Sequence, residues 1–453
     1  MRFLKVKHNW LKESGQRLDA SYHLSDGPIT KIKLKNVPYP LTTLSNETKD
    51  IFSGNIFKRT YVESEEFGWP YLTGSDMMKA EIESGKFISK KHTTQKDKLA
   101  IKKGWILVTC SGTLGNVVFT SNDFEGKVAT HDLIRVIPKK NNLEPGFLFA
   151  YLASRYGYGL LTQSSYGGVI KHIEPHHIEQ LPIPIFPKHK QEQISKSVLK
   201  STDLREKATD LLKIVINEFE SLNTHYKYGS RLMKSISIKQ ISKTNKRFDS
   251  TYALVSSRVN DSLEDNDIGY VTIKSQASDI FIGPRSKRNY VKVGIPFLST
   301  SEMQKKNPTN TEKFLGIKTA ADYLIEEGWI LTTRSGTLGQ TIYSLPCISG
   351  FAVSEDAIRI KLRENSNISA EYLYGFLKSN IGKSSLLSGS YGSVIQHLNE
   401  NYIGDIKVPL LKDEKIKFID NKMRLHIEYL NEAILLENQA IDLVEKEIEQ
   451  WQK

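Results

Sequence analysis

The chain has 453 residues, 39% hydrophobic and 25% charged, the balance of a globular protein with room for two or three domains. Lys and Arg number 63 against 51 acids, a net charge of +12 that favours a polyanionic partner such as nucleic acid. Cys110 and Cys347 are the only cysteines, which excludes a zinc ribbon or a disulfide framework and fits a reducing cytoplasm. No apolar run reaches ~18 residues, so no membrane span is expected, and MRFLKVKHNWLKES lacks the apolar core of a signal peptide.

In chain order, the first globular stretch covers residues 1–187. WILVT, NVVFT and LIRVIP are short, rich in β-branched residues and bounded by Gly, Asn or Pro, which predicts strands. SGTLG between the first two predicts a turn, with Gly supplying positive φ. GFLFAYLASR (Gly146 to Arg155) has helical spacing. Over residues 188–229 the texture changes: Ala208, Leu212, Val215, Phe219 and Leu222 step by 4, 3, 4 and 3, as in a coiled coil.

Residues 230–411 then repeat the first stretch. RLDASYHL answers to RFDSTYAL, IFSGNIFKRTYV to IFIGPRSKRNYV, and PYLTGSDM to PFLSTSEM. WILVTCSGTLGNVVF answers to WILTTRSGTLGQTIY, VATHDLIRV to AVSEDAIRI, SYGGVIKHI to SYGSVIQHL, and LPIPIF to IKVPLL. The order is kept and the offset drifts only from 230 to 224 and back to 225, the trace of a duplicated domain with small loop insertions. AEYLYGFLKSN (Ala370 to Asn380) repeats the helix. Residues 412–453 repeat the seam at Ile427, Leu430, Ile434, Ile441, Val444, Ile448 and Trp451, interrupted by Glu437. Two such helices, each about 60 Å at ~1.5 Å per residue, need partners for their apolar stripes. The expectation is an α+β protein of two homologous domains, with the helices packed on each other as an antiparallel spacer and one domain at each end. The alternative is that each helix lies on its own domain.

This layout resembles the specificity (S) subunit of Type I restriction–modification systems. GWILVTCSGTLG and GWILTTRSGTLG are similar to that family's G-D-x-L-x-x-x-S-G-x-x-G stretch, with Trp105 and Trp329 where Asp is usual. Pro182, Pro184, Pro187, Glu192, Gln193 and Ile194 match its run into the helix. The second copy keeps the spacing from Lys412 to Ile419, with Glu414 and Lys415 where Glu-Gln is usual. The RLDASY and RFDSTY openings resemble those of related methylation-linked specificity proteins. The resemblance implies two target-recognition domains, each reading one half of a split, asymmetric sequence in double-stranded DNA, on successive groove faces ~34 Å apart. It implies docking of two adenine methyltransferase subunits, which an ATP-dependent restriction subunit can join. S-adenosylmethionine, ATP and Mg would then belong to the partners, with no cofactor in this chain. The alternatives are a stand-alone DNA-binding adaptor of another phage-defence system, or a DNA-modifying enzyme with degenerate motifs.

Marks of catalysis are missing from the sequence. There is no NPPY or DPPY tetrapeptide, no FxGxG, and no GxxxxGK[ST]: IGKSS at Ile381 has Leu377 where Gly is required, so Lys383 reads as a helix end. His172, His176 and His177 cluster, but Glu174, His176 and His177 become Asn399, Asn401 and Tyr402 in the second copy, which argues against a metal. Lys58, Arg59 and Tyr61, like Lys287, Arg288 and Tyr290, form a basic pair followed by an aromatic, a pattern suited to phosphate anchoring or simply to an exposed basic loop. The hydroxyls of Ser111, Thr113, Ser335 and Thr337 could bind phosphates, although a plain hairpin turn explains SGTLG as well. Arg334 stands where the first copy has Cys110, and Arg can pair with guanine. Tyr166, Lys171 and His172 in the first copy, and Tyr391, Gln396 and His397 in the second, either contact DNA or form a helix-entry turn, with Lys171 suited to guanine and Gln396 to adenine. Asp19 and Tyr22, with Asp249 and Tyr252, read as residues fixing each domain to a helix or to the methyltransferase.

Overall fold

The computed structural model describes residues 5–6, 8, 11, 18, 20–93, 96–139, 142–163, 172–222, 238, 268–285, 287–392 and 396–451. It divides into two compact units, residues 1–206 with 432–453, and residues 207–431. The pairs Asp19 and Asp249–Tyr252, and the first-copy residues Tyr166 and Lys171, lie outside the described residues.

The described residues of the first unit form ten strands: β1 (Leu41–Thr43), β2 (Thr48–Ser53), β3 (Tyr61–Val62), β4 (Gly68–Leu72), β5 (Phe87–Ser89), β6 (Ile106–Thr109), β7 (Val117–Phe119), β8 (Val128–Ala129), β9 (Leu133–Pro138) and β10 (Pro182–Pro184). β2-β9-β6-β7 form an antiparallel sheet and β3-β5-β4-β8 a second one, in which β4 and β8 run parallel. β1 pairs with β10. β6 is buried along its whole length because both of its faces are covered. Ile106 and Val108 join a core with Phe147, Leu148 and Tyr151, while Leu107 faces Leu72, Phe124 and Leu133. That is why WILVT reads as an unbroken apolar run rather than an alternating one.

SGTLG is the β6–β7 hairpin turn, with Gly112 at φ 72° and Gly115 at φ 77°. At Gly115 a Cβ would also lie 2.7 Å from Thr162 Cγ2, so both the backbone and the helix beneath require glycine. GFLFAYLASR forms the helix Pro145–Ala153, which turns at Ser154 into a second helix, Arg155–Gln163.

Residues of the long helices Lys188–Glu220 and Asp413–Gln450 that fall in this unit pack antiparallel on each other and on the globular core. Ile194 and Val198 share that core with Ala440, Val444 and Ile448. Lys190 pairs with Glu447 at 2.6 Å, and Tyr39 donates to the same carboxylate at 2.7 Å. The interruption at Glu437 is a buried ion pair: Arg205 Nη1 lies 2.9 Å from its carboxylate and 2.5 Å from Ser201 Oγ, while Ser201 donates to the Ala433 carbonyl at 2.7 Å.

The second unit repeats this plan. Its strands are β11 (Tyr270–Thr272), β12 (Ala277–Phe281), β13 (Tyr290–Val291), β14 (Ile295–Leu298), β15 (Phe314–Leu315), β16 (Ile330–Thr333), β17 (Thr341–Tyr343), β18 (Ala352–Val353), β19 (Ala357–Leu362) and β20 (Lys407–Pro409). The orders β12-β19-β16-β17, β13-β15-β14-β18 and β11-β20 match those of the first unit, including the parallel pair β14 and β18. Gly336 and Gly339 occupy the hairpin turn at φ 78° and 71°. AEYLYGFLKSN forms the helix Ala370–Lys378, followed by Asn380–Ser388.

Here too the long helices meet. Phe219 packs edge-on against Tyr372 and Phe376 at 5.3 and 5.7 Å. Buried His426 donates from Nδ1 to the Ala208 carbonyl at 2.7 Å, its neutral tautomer being the one that fits an acceptor there. Burial moves its pKa down from 6.5 to about 4, with the nearby Lys378 pushing the same way. A folded-state pKa below the unfolded value means the unfolded chain binds the extra proton between pH 6.5 and 4. Stability present above pH 6.5 is therefore lost as pH falls through that window, by about 3 kcal/mol at its end. Denaturant midpoints measured across pH 4–7 should show this slope, and His426→Asn should flatten it; equal slopes in both proteins would count against it.

Candidate nucleic-acid interface

In the first unit one short loop gathers the scattered candidate residues. After β8 the chain turns through Thr130, His131 and Asp132 before entering β9. Arg59 Nη2 donates to Thr130 Oγ1 at 3.2 Å and lies 3.5 Å from Asp132 Oδ2, with its guanidinium 6.0 Å from the Tyr71 ring centre. Thr130 in turn donates to Asp132 at 2.8 Å. The Asp132 carbonyl accepts the Cys110 N–H at 3.1 Å, and the Cys110 carbonyl accepts the Ile173 N–H at 3.0 Å. Ser111 and His172 form an antiparallel bridge. Arg59, Ser111 and His172, far apart in sequence, are thus linked through Asp132 and Cys110. Lys58, Tyr61 and Thr113 are exposed beside them.

The second unit builds the same hub from Ser354, Glu355 and Asp356. Arg288 pairs with the Glu355 carboxylate and donates to Ser354 Oγ at 3.3 Å. Burial raises the Glu355 carboxyl, but the hydrogen bond and charge of Arg288, a backbone hydrogen bond and the Ser354 hydroxyl together outweigh it and hold that group below the usual carboxylate range. Asp356 accepts the Arg334 N–H on its carbonyl at 2.7 Å and the Ser335 hydroxyl on its carboxylate at 2.7 Å. The Arg334 carbonyl accepts the Leu398 N–H at 2.9 Å. Ser335 bridges His397, and His397 exchanges backbone hydrogen bonds with Tyr391 at 2.7 and 3.0 Å. Lys287, Tyr290, Thr337, Tyr391 and Gln396 are exposed.

The hub residues are the ones sequence reasoning passed over. VATHDLIRV and AVSEDAIRI align Thr130 with Ser354 and Asp132 with Asp356, so a hydroxyl and a carboxylate retained in both copies were the available signal. The same alignment pairs Arg135 with Arg359. Both are fully buried and bonded to backbone carbonyls, so these two cations belong to the core and not to the surface. The histidine cluster also finds a local role. Glu174 is the N-cap of the helix Pro175–Ile178, and its N–H donates to His177 Nδ1 at 2.9 Å. Asn399 caps the matching helix by accepting the Tyr402 N–H at 2.8 Å. A cap tolerates the exchange of Glu for Asn, which a metal site would not. Among the described residues no group of three or more His, Cys, Asp or Glu side chains is placed to hold a metal, and no helix is long and apolar enough to cross a membrane.

Comparison with known proteins adds to this geometry. No curated protein matches the chain. Solved structures similar to it include the S subunit of a Type I restriction–modification system from M. genitalium, 17% identical over 92% of this chain and 93% of that one, with a TM-score of 0.30. The HsdS subunit from Thermoanaerobacter tengcongensis is 14% identical over 91% of this chain and 97% of that one, with a TM-score of 0.29. The family described as Type I restriction modification DNA specificity domain matches twice, over residues 45–218 and 278–446. With two such domains filling most of its length and folded to one plan, the chain belongs to the Type I restriction–modification DNA specificity family.

Proposed function

We propose that this chain is the non-catalytic recognition subunit of a restriction–modification complex, reading a bipartite, asymmetric DNA site with one domain per half-site. The observation that carries the proposal is the repeated convergence of an arginine, a hairpin turn and a histidine-bearing segment onto one acidic-hydroxyl hub in each unit. Exposed Lys58 and Lys287 supply sequence-independent phosphate contacts, while residues that differ between the copies supply base contacts. The division of labour follows from chemistry: shared anchors set register, and discrimination requires side chains that are not shared.

Two adenine methyltransferase subunits flip the target bases, and an ATP-dependent restriction subunit completes a nuclease form. S-adenosylmethionine, ATP and Mg belong to those partners, and the complex works in the cytoplasm. Methylome sequencing of the host with and without the gene tests the proposal. The expected result is a two-part adenine-methylation motif that disappears on deletion. Purified chain that methylates or cleaves DNA unaided would favour the enzyme alternative.

A further inference from the structure

The first unit gathers exposed cations, outside the hub, on two neighbouring segments. One runs from Gly54 to Thr60 into β3, and the other from Ser89 to Leu99 out of β5. They lie side by side. Ser89 donates its N–H to the Thr60 carbonyl at 2.8 Å, and at the far end a Cβ on Gly54 would meet Leu99 Cδ2 at 2.8 Å and the Lys98 carbonyl at 3.5 Å. Lys58 and Arg59 are exposed on the first segment, and Lys91, His92, Lys96 and Lys98 on the second. Lys96 Nζ is held 5.2 Å from the centre of the Trp69 ring, which fixes its stem against the sheet. Lys90 is turned aside, its amine donating to the Glu65 and Glu66 carbonyls at 2.7 and 3.1 Å.

Other lysines of this unit sit on carboxylates: Lys79 on Asp76 at 2.7 Å, Lys103 on Glu206 at 3.1 Å and Lys188 on Glu144 at 2.6 Å. Among the described residues no carboxylate pairs with Lys58, Lys91, Lys96 or Lys98, and Asp97 is the one acid in either segment. Like charges gathered in this way repel one another, and a polyanion removes that cost while shedding its own counter-ions. Arg59 belongs to the same strip and is already bonded to Thr130 of the hub, so the strip and the hub are continuous.

Resting on the DNA-recognition reading above, we propose that Lys91, Lys96 and Lys98 form a phosphate rail that carries the DNA interface from Arg59 onward along the first unit. An ammonium is a point charge on a flexible stem, suited to the repeating phosphates of a duplex and indifferent to its bases. The rail therefore adds affinity and register, and the base contacts lie elsewhere.

The test measures duplex binding against salt for the full chain, purified from its host with the subunits that accompany it. Wild type is compared with a triple variant, Lys91→Gln with Lys96→Gln and Lys98→Gln, and with the same three positions changed to Arg; a randomised duplex pool is offered to each and the bound fraction sequenced. The glutamine variant is expected to bind about tenfold or more weakly, with the slope of log affinity on log salt shallower by about 2–3. The arginine variant should match wild type, and the enriched half-sites should be the same in all three. An unchanged slope would overturn the rail. So would an altered base preference, which identifies a base contact, or loss of the accompanying subunits, which identifies a protein interface. If the glutamine variant does not fold, lysine acetylation of wild type with and without duplex decides: protection of Lys91, Lys96 and Lys98 supports the rail, and equal labelling overturns it. Wild type that enriches no sequence sinks the recognition reading itself, whereas sequence-selective wild type beside an unaffected glutamine variant sinks the rail alone.

Discussion

Arg135→Met should destabilise the first unit by about 3 kcal/mol or more, enough to lower its denaturant midpoint sharply. Arg135 is 0% exposed, and among the described residues no carboxylate pairs with it. Its Nη1 donates to the carbonyls of Leu133 and Thr130 at 2.8 and 3.3 Å, and its Nη2 to those of Leu99 and Ala129 at 3.0 and 3.1 Å. The guanidinium also lies 6.0 Å from the centre of the Phe52 ring. Burial lowers its pKa to about 10, which leaves it protonated at neutral pH. Four carbonyl dipoles thus stand in for a counter-ion, and the same fork pins the hub loop to β9. Methionine fills the volume but leaves those carbonyls short of donors. Lysine should not rescue, because an ammonium cannot reproduce a planar fork that reaches four acceptors. Arg359 repeats the arrangement with the carbonyls of Ala357, Ser354, Tyr323 and Val353, so Arg359→Met should do the same to the second unit. Urea unfolding followed by tryptophan fluorescence would report each change, since Trp105 packs on Phe52 and Trp329 on Phe281. A midpoint within error of wild type would contradict the argument.

Glu437→Leu should cost about 3–5 kcal/mol, because it strands the mostly buried Arg205 without its counter-charge. Removing both charges, in Arg205→Leu with Glu437→Leu, should recover most of that loss, since two buried ions of opposite sign can be replaced by apolar packing at little net cost. A double-mutant cycle in denaturant reads the coupling directly. Additive costs would show that the pair does not act as a unit. The pair also bears on register. An antiparallel seam of Ile and Val can slide by a turn, whereas Arg205 meets Glu437 in one alignment, reinforced by the hydrogen bond from Ser201 to Ala433.

Much of this architecture is legible in the residues because it is local. The duplication shows as ordered matches, strands β6, β7 and β9 as β-branched runs, the hairpins as SGTLG, and the long helices as 3–4 spacing. Each of these signals lies within a dozen or so residues and follows from backbone geometry. Family membership was legible for the same reason, since its motifs are contiguous.

Partnership across long stretches of chain was decided only by the tertiary structure. Arg59 and Thr130, or Arg288 and Glu355, are bonded across about 70 residues, and no periodicity announces such a bond. Arg135 and Arg359 are written with the same letter as a surface arginine, and only packing shows that they sit inside. Glu437 reads as a break in an apolar stripe until Arg205 is brought to it. The physical reason is common to all three. A side chain's type states what it can bond, while its burial and its partner depend on which distant segment the folded core places against it.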